Sequence, residues 1–112
     1  MTVIVNSQEL QKRIKLSSSS LAEFCRRWQI KELALFGSVL RDDFSDDSDV
    51  DMLVSFLPDA GWSLLDAIQL ELELAAMLGR DVDLISKPAV EKSPNWIRRR
   101  QILDTAQVIY AA

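Results

Sequence analysis

Residues 37–54 read GSVLRDDFSDDSDVDMLV, running from Gly37 to Val54. The second half of this stretch, continued to Phe56, alternates. Asp49, Asp51, Leu53 and Ser55 fall on one face, and Val50, Met52, Val54 and Phe56 on the other. Residues two apart in a strand point the same way, so Asp49 to Phe56 is expected to be a strand with two carboxylates side by side. The first half begins with Gly-Ser and continues as a polar connection over 37–48, with room for one helical turn near Val39-Leu40-Arg41. Lys31 to Phe36 (KELALF), just upstream, is short, apolar and stopped by Gly37, as a buried strand would be.

Working outward, Pro58 and Gly61 mark a turn, after which Ser63 and Asp66 form a capping box at the start of a helix. Its buried stripe is expected at Leu65, Ile68, Leu72 and Ala75/Ala76, and Gly79 stops it as a C-terminal glycine does. Asp81 to Ser86 (DVDLIS) reads as a third strand with its aspartates on one face. Ser93-Pro94 then opens a tail read as one C-terminal helix over 93–112, with Ile102, Leu103, Ala106, Ile109 and Tyr110 on one side. Upstream, Ser20 and Glu23 suggest a capped helix carrying Leu21, Phe24, Cys25 and Trp28 inward, and Gln8 to Leu16 suggests a shorter one with Leu10 and Ile14 inward. The order is helix, strand, loop, strand, helix, strand, helix. This predicts an α/β (α+β) fold, a small mixed sheet with helices packed on it, in a single domain over 1–112.

Composition narrows the chemistry. The chain has 112 residues, is 48% apolar, and carries no histidine, which excludes His-based triads and most zinc sites. The lone Cys25 permits no internal disulfide and reads as a core residue. No segment has the roughly 18 apolar residues of a membrane span and no signal peptide is evident, so no membrane partner and a cytoplasmic location are expected. A net charge of −4 argues against direct nucleic-acid binding.

Two carboxylates held side by side repel and resist ionisation unless a cation joins them. Oxygen-only ligands suit Mg²⁺ or Mn²⁺, and two such ions about 3.5–4 Å apart can hold a triphosphate, activate a hydroxyl and stabilise a leaving oxygen. A glycine directly after a strand lets backbone N–H groups approach a phosphate, and the Ser38 hydroxyl adds a donor. Arg41 is placed to reach a phosphate or tie the loop to an aspartate. Asp83 could complete the metal site, although Asp81 shares its face. Singly, these features arise by chance in a chain with 17 acidic residues. An EF-hand loop beginning at Asp47 fails, because Met52 and Pro58 stand where glycine and glutamate are required.

Together, strand, Gly-Ser, ten residues, Asp-x-Asp on a second strand, helix and aspartate on a third strand resemble the nucleotidyltransferase superfamily that includes DNA polymerase β. The GSx10DxD signature is complete. Its fuller form, with arginine three residues after the serine and Ser-Asp before the second aspartate, fits Arg41, Ser48 and Asp49. Size and layout resemble the minimal nucleotidyltransferase (MNT) subfamily, commonly antitoxins paired with a HEPN-domain ribonuclease toxin. The resemblance implies a polymerase β-like fold and a metal-dependent transfer of AMP from ATP to a tyrosine hydroxyl of the toxin, with the two chains in a hetero-oligomer. Asp49, Asp51 and Asp83 would be catalytic and metal-binding, with two Mg²⁺ ions (or Mn²⁺). Gly37, Ser38, Arg41 and Ser48 would hold the nucleotide. The alternatives are a non-catalytic antitoxin that neutralises by binding alone, and a small-molecule (antibiotic) nucleotidyltransferase.

Overall fold

The computed structural model describes residues 2–3, 14, 17–41, 45 and 48–112. Of the expected helix Gln8 to Leu16, only Ile14 lies among them; it is helical and buried, and the rest of that expectation falls outside the described residues.

The described residues form five strands: β1 (Thr2–Val3), β2 (Ile30–Phe36), β3 (Val50–Phe56), β4 (Val82–Ser86) and β5 (Gln107–Ala111). They form one sheet in the order β1-β5-β2-β3-β4. Among the described residues only β3 and β4 pair in parallel, because the helix between them returns the chain to the same end of the sheet. The remaining neighbours are antiparallel.

Alternation along the strands divides the core in two. Leu33, Leu35, Val50, Met52, Val54 and Val82 join the larger cluster, which α1 (Ser18–Arg27) and α2 (Leu64–Leu78) cover through Leu21, Phe24, Leu70 and Leu74. Ala34, Phe36 and Leu53 point the other way, toward Val90 of α3 (Lys87–Glu91) and Ile102 of α4 (Trp96–Thr105). The face of β3 that carries its aspartate is therefore the one beneath α3 and α4.

Four expectations change. The cap of α1 is Ser17 rather than Ser20: its hydroxyl accepts the Ser20 N–H at 3.2 Å, and Ser20 lies inside the first turn. In a run of four serines any member can cap, and the burial of Leu21, Phe24 and Cys25 selects the one that starts the helix earlier. The capping box of α2 is present and Gly79 closes the helix at φ +70°, yet the buried stripe is Leu70, Leu74 and Leu78. Leu65, Ile68 and Leu72 are 77%, 49% and 66% exposed; of the two alanines, Ala75 packs against the core and Ala76 does not. This helix is apolar almost all round, so periodicity does not choose the stripe; the position of the sheet does.

The third change concerns Ser86, which caps α3 by accepting the Ala89 N–H, with Pro88 in the first turn. The sequence reading missed that helix. The fourth is the tail, which is not one helix. Asn95, rather than Ser93, caps α4. The helix ends at Thr105, Ala106 turns extended at ψ 139°, and the chain returns as β5 between β1 and β2. The run Val108-Ile109-Tyr110 has the β-branched and aromatic residues that favour a strand, and it satisfies the hydrogen-bonding edge of β2 that a helix would leave open.

Candidate active site

β2 ends at Phe36, and Gly37 opens a single 3-10 turn, Gly37–Leu40, close to the expected one. Gly37 has φ +76°, a conformation that favours glycine. A second constraint is spatial: a Cβ there would stand 2.4 Å from Asp51 Oδ2. The carboxylate of Asp51 thus rests against the Cα of Gly37, in the space that any other residue would fill. Phe36 and Asp51 are register partners across β2 and β3, which explains the contact.

On the other side of β3, Asp51 is the register partner of Asp83 in β4. Partners in adjacent strands present their side chains on the same face, so these two carboxylates neighbour one another. Asp81 precedes the strand, and its carbonyl accepts the Val50 N–H at 3.0 Å. Register thereby separates two aspartates that alternation left equivalent. Asp49, exposed at the mouth of β3, has its carbonyl held by the Ser38 hydroxyl at 3.4 Å.

The electrostatics follow from this arrangement. Partial burial raises the pKa of Asp51, the charges of Asp83 and Asp49 raise it further, and Arg41 pulls the other way. The other two predicted carboxylates, Asp49 and Asp83, therefore both act on Asp51. Among the described residues, however, no three ligand-type side chains are already drawn together tightly enough to hold a metal ion. The set is open and oxygen-only. The oxygen-only donors and the mutual repulsion at Asp51 both fit a hard divalent cation.

Arg41 closes the turn, its N–H donating to the Ser38 carbonyl at 2.9 Å. Ser48 serves the loop, pairing its hydroxyl with that of Ser45 at 3.1 Å. The loop is also held by Arg80, which sequence reasoning missed: its guanidinium donates to the carbonyls of Ser45 and Ser48 at 3.1 and 3.2 Å. The only sequence signal was a cation directly after the glycine that ends α2. Cys25 is fully buried and burial pushes its thiol up to about 12, which removes it as a nucleophile. Trp62 is structural as well, its indole N–H donating to the Trp28 carbonyl at 2.7 Å while its ring meets that of Trp28 edge-on.

A sheet end that sets a glycine turn beside aspartates from two parallel strands defines an acid-lined site of the phosphoryl- and nucleotidyl-transfer class. The match to the nucleotidyltransferase domain family covers residues 18–109, and the chain belongs to that family. Over 71 residues it is 42% identical to the protein adenylyltransferase MntA of Thermococcus cleftensis, covering 62% of this chain and 68% of that one. A Methanocaldococcus jannaschii protein, also described as a protein adenylyltransferase, is 39% identical over 72 residues, or 60% and 71% of the two chains. A solved structure described as a minimal nucleotidyltransferase superposes with TM-score 0.64 at 31% identity, over 93% of this chain and 98% of that one. A toxin-antitoxin structure with AMP-PNP shares the fold, with TM-score 0.64 at 19% identity over 87% and 75% of the chains. The polymerase β-like minimal nucleotidyltransferase fold expected from the sequence is the one observed. No helix among the described residues is long and apolar enough to cross a membrane.

Proposed function

We propose that this protein is an antitoxin that transfers AMP from ATP to a tyrosine hydroxyl of a HEPN-domain toxin, in the cytoplasm and in complex with that toxin. The observation that carries the proposal is Asp51, wedged against Gly37 on one side and in register with Asp83 on the other. The protein-adenylyltransferase relatives support it, as does a distant structure of a tri-AMPylated Shewanella oneidensis HEPN toxin with its MNT antitoxin.

In this reading Asp49, Asp51 and Asp83 hold two Mg²⁺ ions, or Mn²⁺, which supply charge neutralisation at the phosphates and the leaving oxygen. The N–H groups of Gly37 and Ser38 and the Ser38 hydroxyl cradle the phosphates, and Arg41 adds a cation beside them. Ser48 acts indirectly, by keeping the loop before Asp49 in place. The tyrosine oxygen attacks the α-phosphorus, the bond from that phosphorus to the bridging oxygen of the β-phosphate breaks, and pyrophosphate leaves. The hydroxyl proton passes to an Asp83 carboxylate oxygen. Positioning and charge stabilisation do most of the work in such a displacement.

The test is incubation with Mg²⁺, α-labelled ATP and a HEPN partner. Label on the partner that disappears with Asp49→Ala or Asp51→Ala supports the proposal. Full neutralisation of the partner by the double variant, with no label transferred by the wild type, would replace it with neutralisation by binding alone.

A further inference from the structure

Beside the Gly37 turn lies a cleft of about 660 Å³, lined by Phe36, Gly37, Leu40, Arg41 and, from the end of α4 and the start of β5, Gln101, Ile102, Thr105 and Gln107. Its size is in the range of small-ligand sites. Three features give it a chemistry. Phe36, Leu40 and Ile102 provide apolar surface, suited to the faces of a flat ring. Gln101 and Gln107 are exposed, and among the described residues their side-chain amides have no hydrogen-bond partner. The cleft also opens onto Gly37, the residue against which Asp51 rests.

We propose that this cleft seats the base of the bound nucleotide and that Gln101 and Gln107 read its edge, selecting adenine over guanine. The inference rests on the nucleotidyl-transfer reading above, since it places the rest of the same nucleotide beside the phosphate-holding turn. A primary amide carries one acceptor and two donors. It can therefore bond adenine's N6 amino group and the N7 beside it at once. Along that edge guanine presents two acceptors, O6 and N7, so the amide keeps only its donor bond and its carbonyl faces an acceptor. A cleft built for the acceptor side chain would need no such amide pair, and one built for the triphosphate tail would carry more cations than Arg41 alone among its described lining residues. Thr105 does not compete for the base, because its hydroxyl donates back to the Gln101 carbonyl within α4.

The experiment is titration calorimetry of the full chain in Mg²⁺ with AMP-PNP, GMP-PNP and inorganic tripolyphosphate, on the wild type, Gln101→Leu, Gln107→Leu and the control Gln69→Leu. Gln69 is exposed on α2, over the opposite face of the sheet. The wild type is expected to prefer AMP-PNP, and one or both cleft variants to lose about 5- to 100-fold of that preference, with tripolyphosphate affinity unchanged and Gln69→Leu like the wild type. An undiminished preference in both cleft variants overturns the assignment. So does an equal loss for AMP-PNP and tripolyphosphate, which would place the phosphates in the cleft. If the wild type binds no nucleotide at all, the transferase reading falls and this inference falls with it; base preference intact in the variants removes this inference alone.

Discussion

Gly37→Ala separates backbone strain from damage to the site, because Gly79 provides a matched control. Both glycines sit at nearly the same positive φ, +76° and +70°, so an alanine at either position bears a similar penalty of about 1–2 kcal/mol. At roughly 4 °C per kcal/mol, each variant should melt about 4–8 °C below the wild type. The surroundings differ. A Cβ at 79 meets nothing within 4 Å, whereas a Cβ at 37 meets Asp51 Oδ2 at 2.4 Å. Restoring ordinary contact moves that carboxylate by about 1 Å, and a displacement of this size in a reacting site costs on the order of 100-fold in rate. Gly37→Ala should therefore lose about two orders of magnitude in labelled-AMP transfer while Gly79→Ala keeps nearly wild-type activity. Melting by circular dichroism and initial transfer rates measure the two effects. A Gly37→Ala protein within threefold of Gly79→Ala in activity would refute the idea that the glycine exists to admit the carboxylate.

Replacing the charge itself should have the opposite effect on stability. Asp51 is half-buried beside two like charges, so its ionised form is disfavoured by the fold. With Asp51→Asn, melting in the absence of divalent cations should occur at or above the wild-type temperature, and transfer should be abolished; a clearly lower melting point contradicts this. Mg²⁺ should raise the wild-type melting temperature, by about 2.7 kcal/mol of stability at 100 times Kd, and raise that of Asp51→Asn less. In α2, Leu74→Ala should cost about 2–5 kcal/mol in urea denaturation, and Leu72→Ala within about 0.5 kcal/mol of nothing; similar losses would mean the exposed stripe is packed. Cys25 should resist thiol reagents until the protein unfolds. Because burial raises its pKa to about 12, the stability it contributes is complete below the unfolded value near 8.5 and declines as pH rises toward 12. Cys25→Ala should flatten that alkaline decline.

Much of the architecture was legible because local chemistry is unambiguous where it matters most. The alternation of residues 49–56 set the faces of β3, the Ser63–Asp66 box and Gly79 bracketed α2, and the ten-residue gap from Gly37-Ser38 to Asp49-x-Asp51 marked the site. Two of the misreadings, the stripe of α2 and the tail, share one cause: an apolar pattern that satisfies two periods or two phases. Leu64 to Leu78 offers several stripes, and 102–110 fits a helix as well as a helix followed by a strand. Such segments are decided by what they pack against.

By itself, then, the sequence determined the residue types and spacings that define a nucleotidyltransferase, along with the phase of β3. Tertiary structure decided which aspartate, Asp81 or Asp83, meets Asp51, since that depends on the register of two parallel strands 32 residues apart at Val50 and Val82, a quantity no local pattern encodes. It also decided that the chain after Thr105 crosses back to pair with β2, because an unpaired strand edge costs more than a helix there would return. That choice places Gln107 opposite Leu35 and, with Gln101, at the cleft beside Gly37.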